Sequence, residues 1–236
     1  MYPSGITQDV SGQKGTFVEV KGYSHQMEGK SRPTFFRGVA TIVTKLFNVV
    51  QVCFLSYPLL AILTFRGLVQ PTRAYFGQKD IQQALLLKRL ASDLLMAYPL
   101  SENVHIVPTA RDQIDGLALS SRNAYLSEYE RKVASTLYQA LTAAKTAWEA
   151  GLSKDKCLNK AHEVMEVREK QARSEGLNVD MRLDFLEFND ASTFDVVEDD
   201  VTQTDLDVVL LNGALFVGKT RLIDNLILGD ATKIMK

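Results

Sequence analysis

Apolar positions along this chain recur with two different periods, and the two periods alternate. Val39, Ile42, Val43, Leu46, Phe47 and Val50 follow i, i+3, i+4, i+7 spacing, which predicts a helix packed on a sheet. Residues 16–20 alternate apolar and polar, the pattern of a half-buried strand. Residues 73–76 read as a short buried strand, with Gly77 turning the chain at its end. Asp80 is placed to cap the helix that follows, in which Ile81, Ala84, Leu85, Lys88 and Leu95 recur at helical spacing. Val104–Val107 reads as the next strand, ended by Pro108. Strand and helix in alternation predict a parallel α/β sheet, whose ligands sit beyond the carboxyl ends of the strands. Residues 77–80 and the loop after Val107 lie at two such ends.

The pattern changes near Ile114-Asp115-Gly116. Beyond that point Ser127 is placed to cap a long helix of good helix formers over residues 131–150, with Gly151 as its stop. A second helix is predicted over Lys154–Ser174, ending at Gly176. Two strand candidates follow, residues 183–188 and Val208–Val217, the latter around an Asn212-Gly213 turn signal. This is the outline of a small α+β domain. No internal repeat or low-complexity stretch interrupts it.

Composition narrows the class without naming it. At 236 residues, 46% hydrophobic and 23% charged, the chain is long enough for one large or two small domains with real cores. A formal net charge of −1 implies no polyanion-binding surface, so nucleic acid is not an expected partner. Cys53 and Cys157 lack metal-ligand spacing and suggest a reducing compartment. Residues 1–15 are polar and rich in Gly and Ser, unlike a secretory leader, so the expected location is cytoplasmic.

Two short groups carry the chemistry. Gly77-Gln78-Lys79-Asp80, followed by Gln82-Gln83, puts a lysine and an aspartate at a strand end. Leu119-Ser120-Ser121-Arg122-Asn123 puts two hydroxyls and a guanidinium on a loop. Lysine, serine and arginine are the donors needed to hold a triphosphate while its α-phosphorus is attacked, and backbone N–H groups at a helix start add to them. A competing signal is Gly213-Ala214-Leu215-Phe216-Val217-Gly218-Lys219-Thr220, which satisfies the P-loop pattern in full. Its Ala-Leu-Phe-Val centre is strand-like, however, and the few residues after Thr220 leave room for one helix and no further strands.

These groups sit in longer text: Met1-Tyr2-Pro3-Ser4-Gly5, Met27-Glu28-Gly29-Lys30-Ser31-Arg32-Pro33, Phe36-Arg37-Gly38-Val39-Ala40-Thr41 and Thr44-Lys45-Leu46-Phe47-Asn48. Arg73-Ala74-Tyr75-Phe76-Gly77-Gln78-Lys79-Asp80, Asp115-Gly116-Leu117-Ala118-Leu119-Ser120-Ser121-Arg122-Asn123 and Gly218-Lys219-Thr220-Arg221-Leu222-Ile223-Asp224-Asn225 complete the series. On these segments, residues 1–50 and 71–228 resemble the pantothenate synthetases (pantoate–β-alanine ligases). The resemblance implies an α/β fold: a partial Rossmann-like nucleotidylyltransferase domain over residues 1–113 and a smaller α+β C-terminal lid domain over 114–236. It implies ATP-dependent condensation of pantoate with β-alanine through a pantoyl adenylate, releasing AMP and pyrophosphate. By the same resemblance Lys79 contacts ATP phosphate, and Ser120, Ser121 and Arg122 bind the triphosphate from a mobile loop. Gly77, Gln78, Asp80 and Leu119 line the nucleotide site, Ala110 lies by the adenine, and Gln83 holds pantoate. Mg²⁺ would ride on the phosphates and need no dedicated metal site. The implied partners are pantoate, β-alanine and ATP, with a homodimer as the family's assembly and no membrane.

Two departures bear on how much carries over. The family's His-x-Gly-His motif has no counterpart, since His25, His105 and His162 each stand alone. Met1-Tyr2-Pro3 corresponds to an internal family segment, so a truncated, catalytically inactive chain or a non-catalytic oligomer partner is the alternative reading. The second departure is residues 52–70, which the family lacks. They could be a membrane anchor, though Asn48, Gln51, Ser56 and Pro58 interrupt the apolar run. They could be a real insertion, at the cost of exposing apolar surface. They could be a translated intron, because Val52-Cys53 can be encoded by GTATGT, Leu63-Thr64 can contain CTGAC, and Gln70 can be CAG. Transcript sequencing from upstream of Met1 through Asp80 is expected to show a message without codons 52–70 and with an upstream His-x-Gly-His. A message carrying those codons without a junction would remove the intron reading.

Overall fold

The computed structural model describes residues 14–49, 52–53, 68–69 and 72–235. Residues 1–5 of the family-like text, Val50 of the first helical pattern, and most of residues 52–70 lie outside the described residues. The chain forms two compact units, residues 1–76 with 82–107, and residues 77–81 with 108–235.

The first unit is α/β. A short helix α1 (Glu28–Ser31) precedes α2 (Phe35–Val49), which buries Phe36, Ala40 and Phe47. Residues 16–20, predicted as a strand, pair with no strand among the described residues. The reason is visible at Val18, whose N–H donates to Thr41 Oγ1 on α2 at 2.9 Å, so a helix side chain takes the bond a ladder would have made. Two dipeptides, β1 (Val52–Cys53) and β2 (Leu68–Val69), pair antiparallel. Then β3 (Ala74–Gly77) and β4 (Val104–Val107) form a two-stranded parallel sheet, joined through α3 (Ile81–Asp93). Helix α3 buries Ala84, Leu86, Leu87, Leu90 and Ala91, and its predicted periodicity stops short of Leu95, which is exposed beyond its end. Gln82 on α3 is buried and fully used: its amide donates to Tyr23 O and Gln26 O, and its carbonyl accepts from Glu28 N–H.

The second unit is α+β. Ser127 starts α4 (Glu128–Val133) with a capping box, Ser127 Oγ accepting from Glu130 N–H and the Glu130 carboxylate from Ser127 N–H. Such a cap is worth about 1 kcal/mol. The single helix predicted over residues 131–150 is two, because α5 (Thr136–Glu149) starts afresh after Ala134-Ser135. Thr136 Oγ1 donates to Val133 O at 2.6 Å, a local side-chain bond that competes with the helix ladder. The next helix, α6 (Lys154–Ser174), has the predicted bounds. Both pack beside a three-stranded antiparallel sheet, β5 (Met181–Asp190), β6 (Val208–Val217) and β7 (Thr220–Gly229), in that order. A four-residue helix α7 (Thr232–Met235) closes the described chain.

Central β6 is buried along almost its whole length, and there two expectations fail. Asn212-Gly213 is no turn; Asn212 pairs opposite Glu187 on β5 and Asn225 on β7. The glycine serves packing, since a Cβ on Gly213 would lie 2.8 Å from Leu137 Cδ1 of α5. The hairpin turns instead at Gly218-Lys219, and β7 follows where one helix had been expected. Trp148 of α5 is buried against Phe188 of β5 with ring centroids 5.3 Å apart, in one core with Leu141, Leu211 and Leu215. Cys157 joins that core as an apolar group, its thiol pushed up to about 11 by burial. Replacing Trp148 by Ala is expected to cost about 3–5 kcal/mol of stability, read from the urea midpoint by circular dichroism.

Candidate functional site

The second unit gathers its cationic and hydroxyl groups around the middle of β7. Residues Gln78–Asp80 form a 3-10 turn that runs straight into α3, so Asp80 stands immediately before that helix, and its carboxylate pairs with Lys79 Nζ at 3.1 Å. Asn225 of β7 holds this turn. Its Nδ2 donates to Gln78 O at 2.8 Å and Lys79 O at 2.9 Å, and its Oδ1 accepts from Gln78 Nε2 at 3.2 Å. Every polar atom of a side chain only 2% exposed is therefore used on the turn that carries Lys79.

A second arm, residues 110–119, doubles back on itself. Leu119 N–H donates to Ala110 O at 2.8 Å, and Arg111 and Ala118 form an antiparallel bridge. The anchor of this arm is Arg111, whose guanidinium makes a bidentate pair with Asp224 of β7 at 2.5 and 2.9 Å. The same guanidinium donates to Gly116 O and lies 4.0 Å from the ring centroid of Tyr138. Gly116, at φ 75, sits so close to Tyr138 that an added Cβ would come within 2.3 Å of the ring. From the outer side Arg131 of α4 grips Asp112 at 3.0 Å and Asp115. Burial alone would raise the Asp115 carboxyl. Hydrogen bonds from Arg131 and Leu117 N–H, with the arginine's charge, outweigh it and hold the group below its ordinary value.

The arm leads into Ser120, which caps the 3-10 helix Ser121–Tyr125 by accepting from Arg122 N–H at 3.2 Å. Arg122 donates to Arg221 O of β7 at 3.1 Å, and Asn123 Nδ2 donates to Ala118 O. Lys79, Ser120, Arg122, Asn123, Tyr138 and Asp224 line one narrow pocket. Its interior of about 20 Å³ takes little more than one water molecule.

Of the residues singled out in the sequence, Lys79, Ser120 and Arg122 come together at this pocket, with Gln78 and Asp80 on the adjoining turn. Ser121 and Leu119 are exposed beside it, Ala110 is exposed at the base of the arm, and Gly77 is exposed at the end of β3. Gln83 belongs to the first unit, half-buried on α3. Arg111, Asp224, Asn225 and Tyr138 were not foreseen. A signal existed for two of them: Asp224-Asn225 breaks an otherwise apolar run, Leu222-Ile223 before it and Leu226-Ile227 after it. The P-loop alternative has no geometry to support it, because residues 213–217 are strand and Thr220 opens the next strand instead of a helix. Among the described residues, no cluster of three or more His, Cys, Asp or Glu side chains could hold a metal, and no helix is long and apolar enough to cross a membrane.

The family model described as pantoate-beta-alanine ligase matches residues 1–57 and 60–227 of this chain. The pantothenate synthetase of Herpetosiphon aurantiacus is 38% identical over 228 residues, which are 97% of this chain and 66% of that protein. The chain thus spans slightly less than two thirds of that relative. Among solved structures, the pantoate–β-alanine ligase of Thermus thermophilus superposes with a TM-score of 0.68 at 34% identity, over 90% of this chain and 63% of that one. The Francisella tularensis enzyme, crystallised with β,γ-ATP and β-alanine, shares the fold at a TM-score of 0.55 and 24% identity, over 92% and 60% of the two chains.

The depressed Asp115 carboxyl makes a pH prediction. Its stabilising share is complete above the ordinary 3.8 and is lost as pH falls through the lower folded value. Asp115→Asn is expected to lose about 1 kcal/mol at neutral pH and to show a shallower acid limb below about pH 4, in urea melts taken across pH. An unchanged limb would assign the acid sensitivity elsewhere.

Proposed function

Because the chain belongs to the pantoate–β-alanine ligase family, we propose that it carries the triphosphate-handling part of an ATP-dependent ligase joining pantoate to β-alanine. The observation that carries this reading is the convergence of Lys79, Ser120 and Arg122 on one pocket, held by three ties to β7. In this assignment residues 1–113 supply the nucleotide and pantoate domain, and residues 114–236 the lid.

The reaction asks for little covalent work from the protein. A pantoate carboxylate oxygen attacks the α-phosphorus of ATP, and the bond to pyrophosphate breaks. The β-alanine amine then displaces AMP from the pantoyl adenylate and gives up a proton. Charge builds on the phosphate oxygens as pyrophosphate leaves, and fixed positive donors lower that barrier. Lys79 Nζ supplies a point charge. Arg122 supplies a guanidinium fork. The Ser120 and Ser121 hydroxyls donate to phosphate oxygens, with Gly77, Gln78, Asp80 and Leu119 around the nucleotide, Ala110 by the adenine, and Gln83 on pantoate. In the pocket lining, the buried Asn123 Oδ1 has no hydrogen-bond partner among the described residues and is left over for a ligand's polar group.

The donor set suits an anion and not a bare cation. Both Asp224 oxygens are engaged by Arg111, and one also accepts from Asn225 N–H, so Mg²⁺ would arrive on the nucleotide and be held by its phosphates. Narrowness of the pocket fits a loop that closes over phosphate and must open to admit it. The ligands of the Francisella tularensis protein are the nucleotide and the amine that this reaction requires.

The test is pantoate-dependent exchange of labelled pyrophosphate into ATP by the 236-residue chain. Exchange is expected, falling about a hundredfold or more in Lys79→Ala as a phosphate-binding charge is lost. Lys219→Ala, in the β6–β7 turn, is expected to leave ATP affinity unchanged. No exchange by this chain beside an active full-length relative would favour a non-catalytic product.

A further inference from the structure

Lys79 and its neighbours lie on a short 3-10 turn with few contacts of its own, so something must fix where the ammonium points. The turn Gln78–Asp80 has no side-chain cap at its start. What it has is Asn225, whose amide donates to two consecutive carbonyls of the turn, Gln78 O and Lys79 O, and whose Oδ1 accepts from the Gln78 side chain. Only an amide can do all three, because the arrangement needs two donors and one acceptor on a planar group. Asn225 is itself held, as its N–H donates to Asp224 Oδ1 at 2.8 Å and its residue pairs with Asn212 across the sheet. Asn212 in turn donates to Asn189 Oδ1 and to Leu210 O. A line of buried asparagines thus runs from β5 through β6 to β7 and ends on the Lys79 turn.

We propose that Asn225 is a positioning residue for Lys79, setting the lysine's register against Arg122 so that one anionic ligand can meet both. This rests on the reading of the pocket as a triphosphate site. The register follows from geometry: Arg122 is tied to Arg221 O, four residues earlier on the same strand. One strand therefore spaces the two cations, and Asn225 is the link on the lysine side. The alternative role, simple filling of a buried position, would not require the side chain's donors to point at the turn.

The experiment is a double-mutant cycle on Mg-ATP affinity, measured by calorimetry on the full chain. Asn225→Asp is isosteric and turns both donations into repulsions between oxygens. It is expected to weaken ATP about tenfold, the scale of one charge-assisted phosphate contact. Lys79→Ala should weaken it similarly, and the double variant should be little worse than Lys79→Ala alone, because Asn225 acts through the lysine. Asn225→Ser, with one hydroxyl donor, should fall between wild type and Asn225→Asp, and it carries the cycle if the aspartate variant does not fold. Losses that simply add, or a full ATP affinity in a folded Asn225 variant, would overturn the positioning role while leaving the triphosphate site intact. Failure of the wild-type chain to bind Mg-ATP would overturn the site itself, and the inference with it.

Discussion

A carboxylate buried in the middle of a β-strand must be neutralised in place, and Asp224 is neutralised by Arg111. The pair is bidentate, and the carboxylate is 5% exposed. Breaking such a pair from one side costs about 3–5 kcal/mol, because the remaining charge stays buried. That penalty obliges the arm at residues 110–119 to return to β7, and the rest of the pocket follows from the return. Gly116 closes against Tyr138, Leu117 and Ala118 become buried, and Ser120 is delivered to the start of the 3-10 helix that carries Arg122.

The neighbouring residue, Asn225, does for the lysine turn what Asp224 does for the arm. Adjacent residues on one strand thereby hold two segments that are far apart in sequence. This explains why Gly77–Ile81 sorts with the C-terminal unit although the strand before it and the helix after it belong to the first. Two of the three hydrogen bonds that make the tie go to main-chain carbonyls, and the third comes from the Gln78 side chain. The tie reaches Lys79 through its carbonyl and leaves the lysine side chain out of it.

The sheet can impose this geometry because it is rigid where it matters. Strand β6 is buried along almost its whole length, and Leu137 of α5 packs so close to Gly213 that an added Cβ would push its terminal methyl aside. The strand β7 alongside inherits its register over ten residue pairs. Polar residues in the interior, Asn189, Asn212 and Asn225, are all hydrogen-bonded, so they specify alignment without leaving unsatisfied groups.

Local pattern by itself determined the helices α2, α3 and α6 and the strands β3 and β4, because each is written in a period of side chains that one segment contains. Residue type also singles out Lys79, Ser120 and Arg122, and the fold brings all three to one pocket. The break at Ser135 goes with a local bond, Thr136 Oγ1 to Val133 O, to which apolar periodicity is blind. Tertiary structure alone decided the path of residues 16–20, where Thr41 replaced a strand partner. It alone decided that Asn212-Gly213 is strand interior, because the turn propensity of that pair is local and the close approach of α5 is not. Above all it decided the roles of Arg111, Asp224 and Asn225. An ion pair between residues 113 positions apart, and an amide reaching 147 positions back, leave no periodic trace in a single chain. Only burial, which makes an unpaired charge or amide costly, forces such partners together.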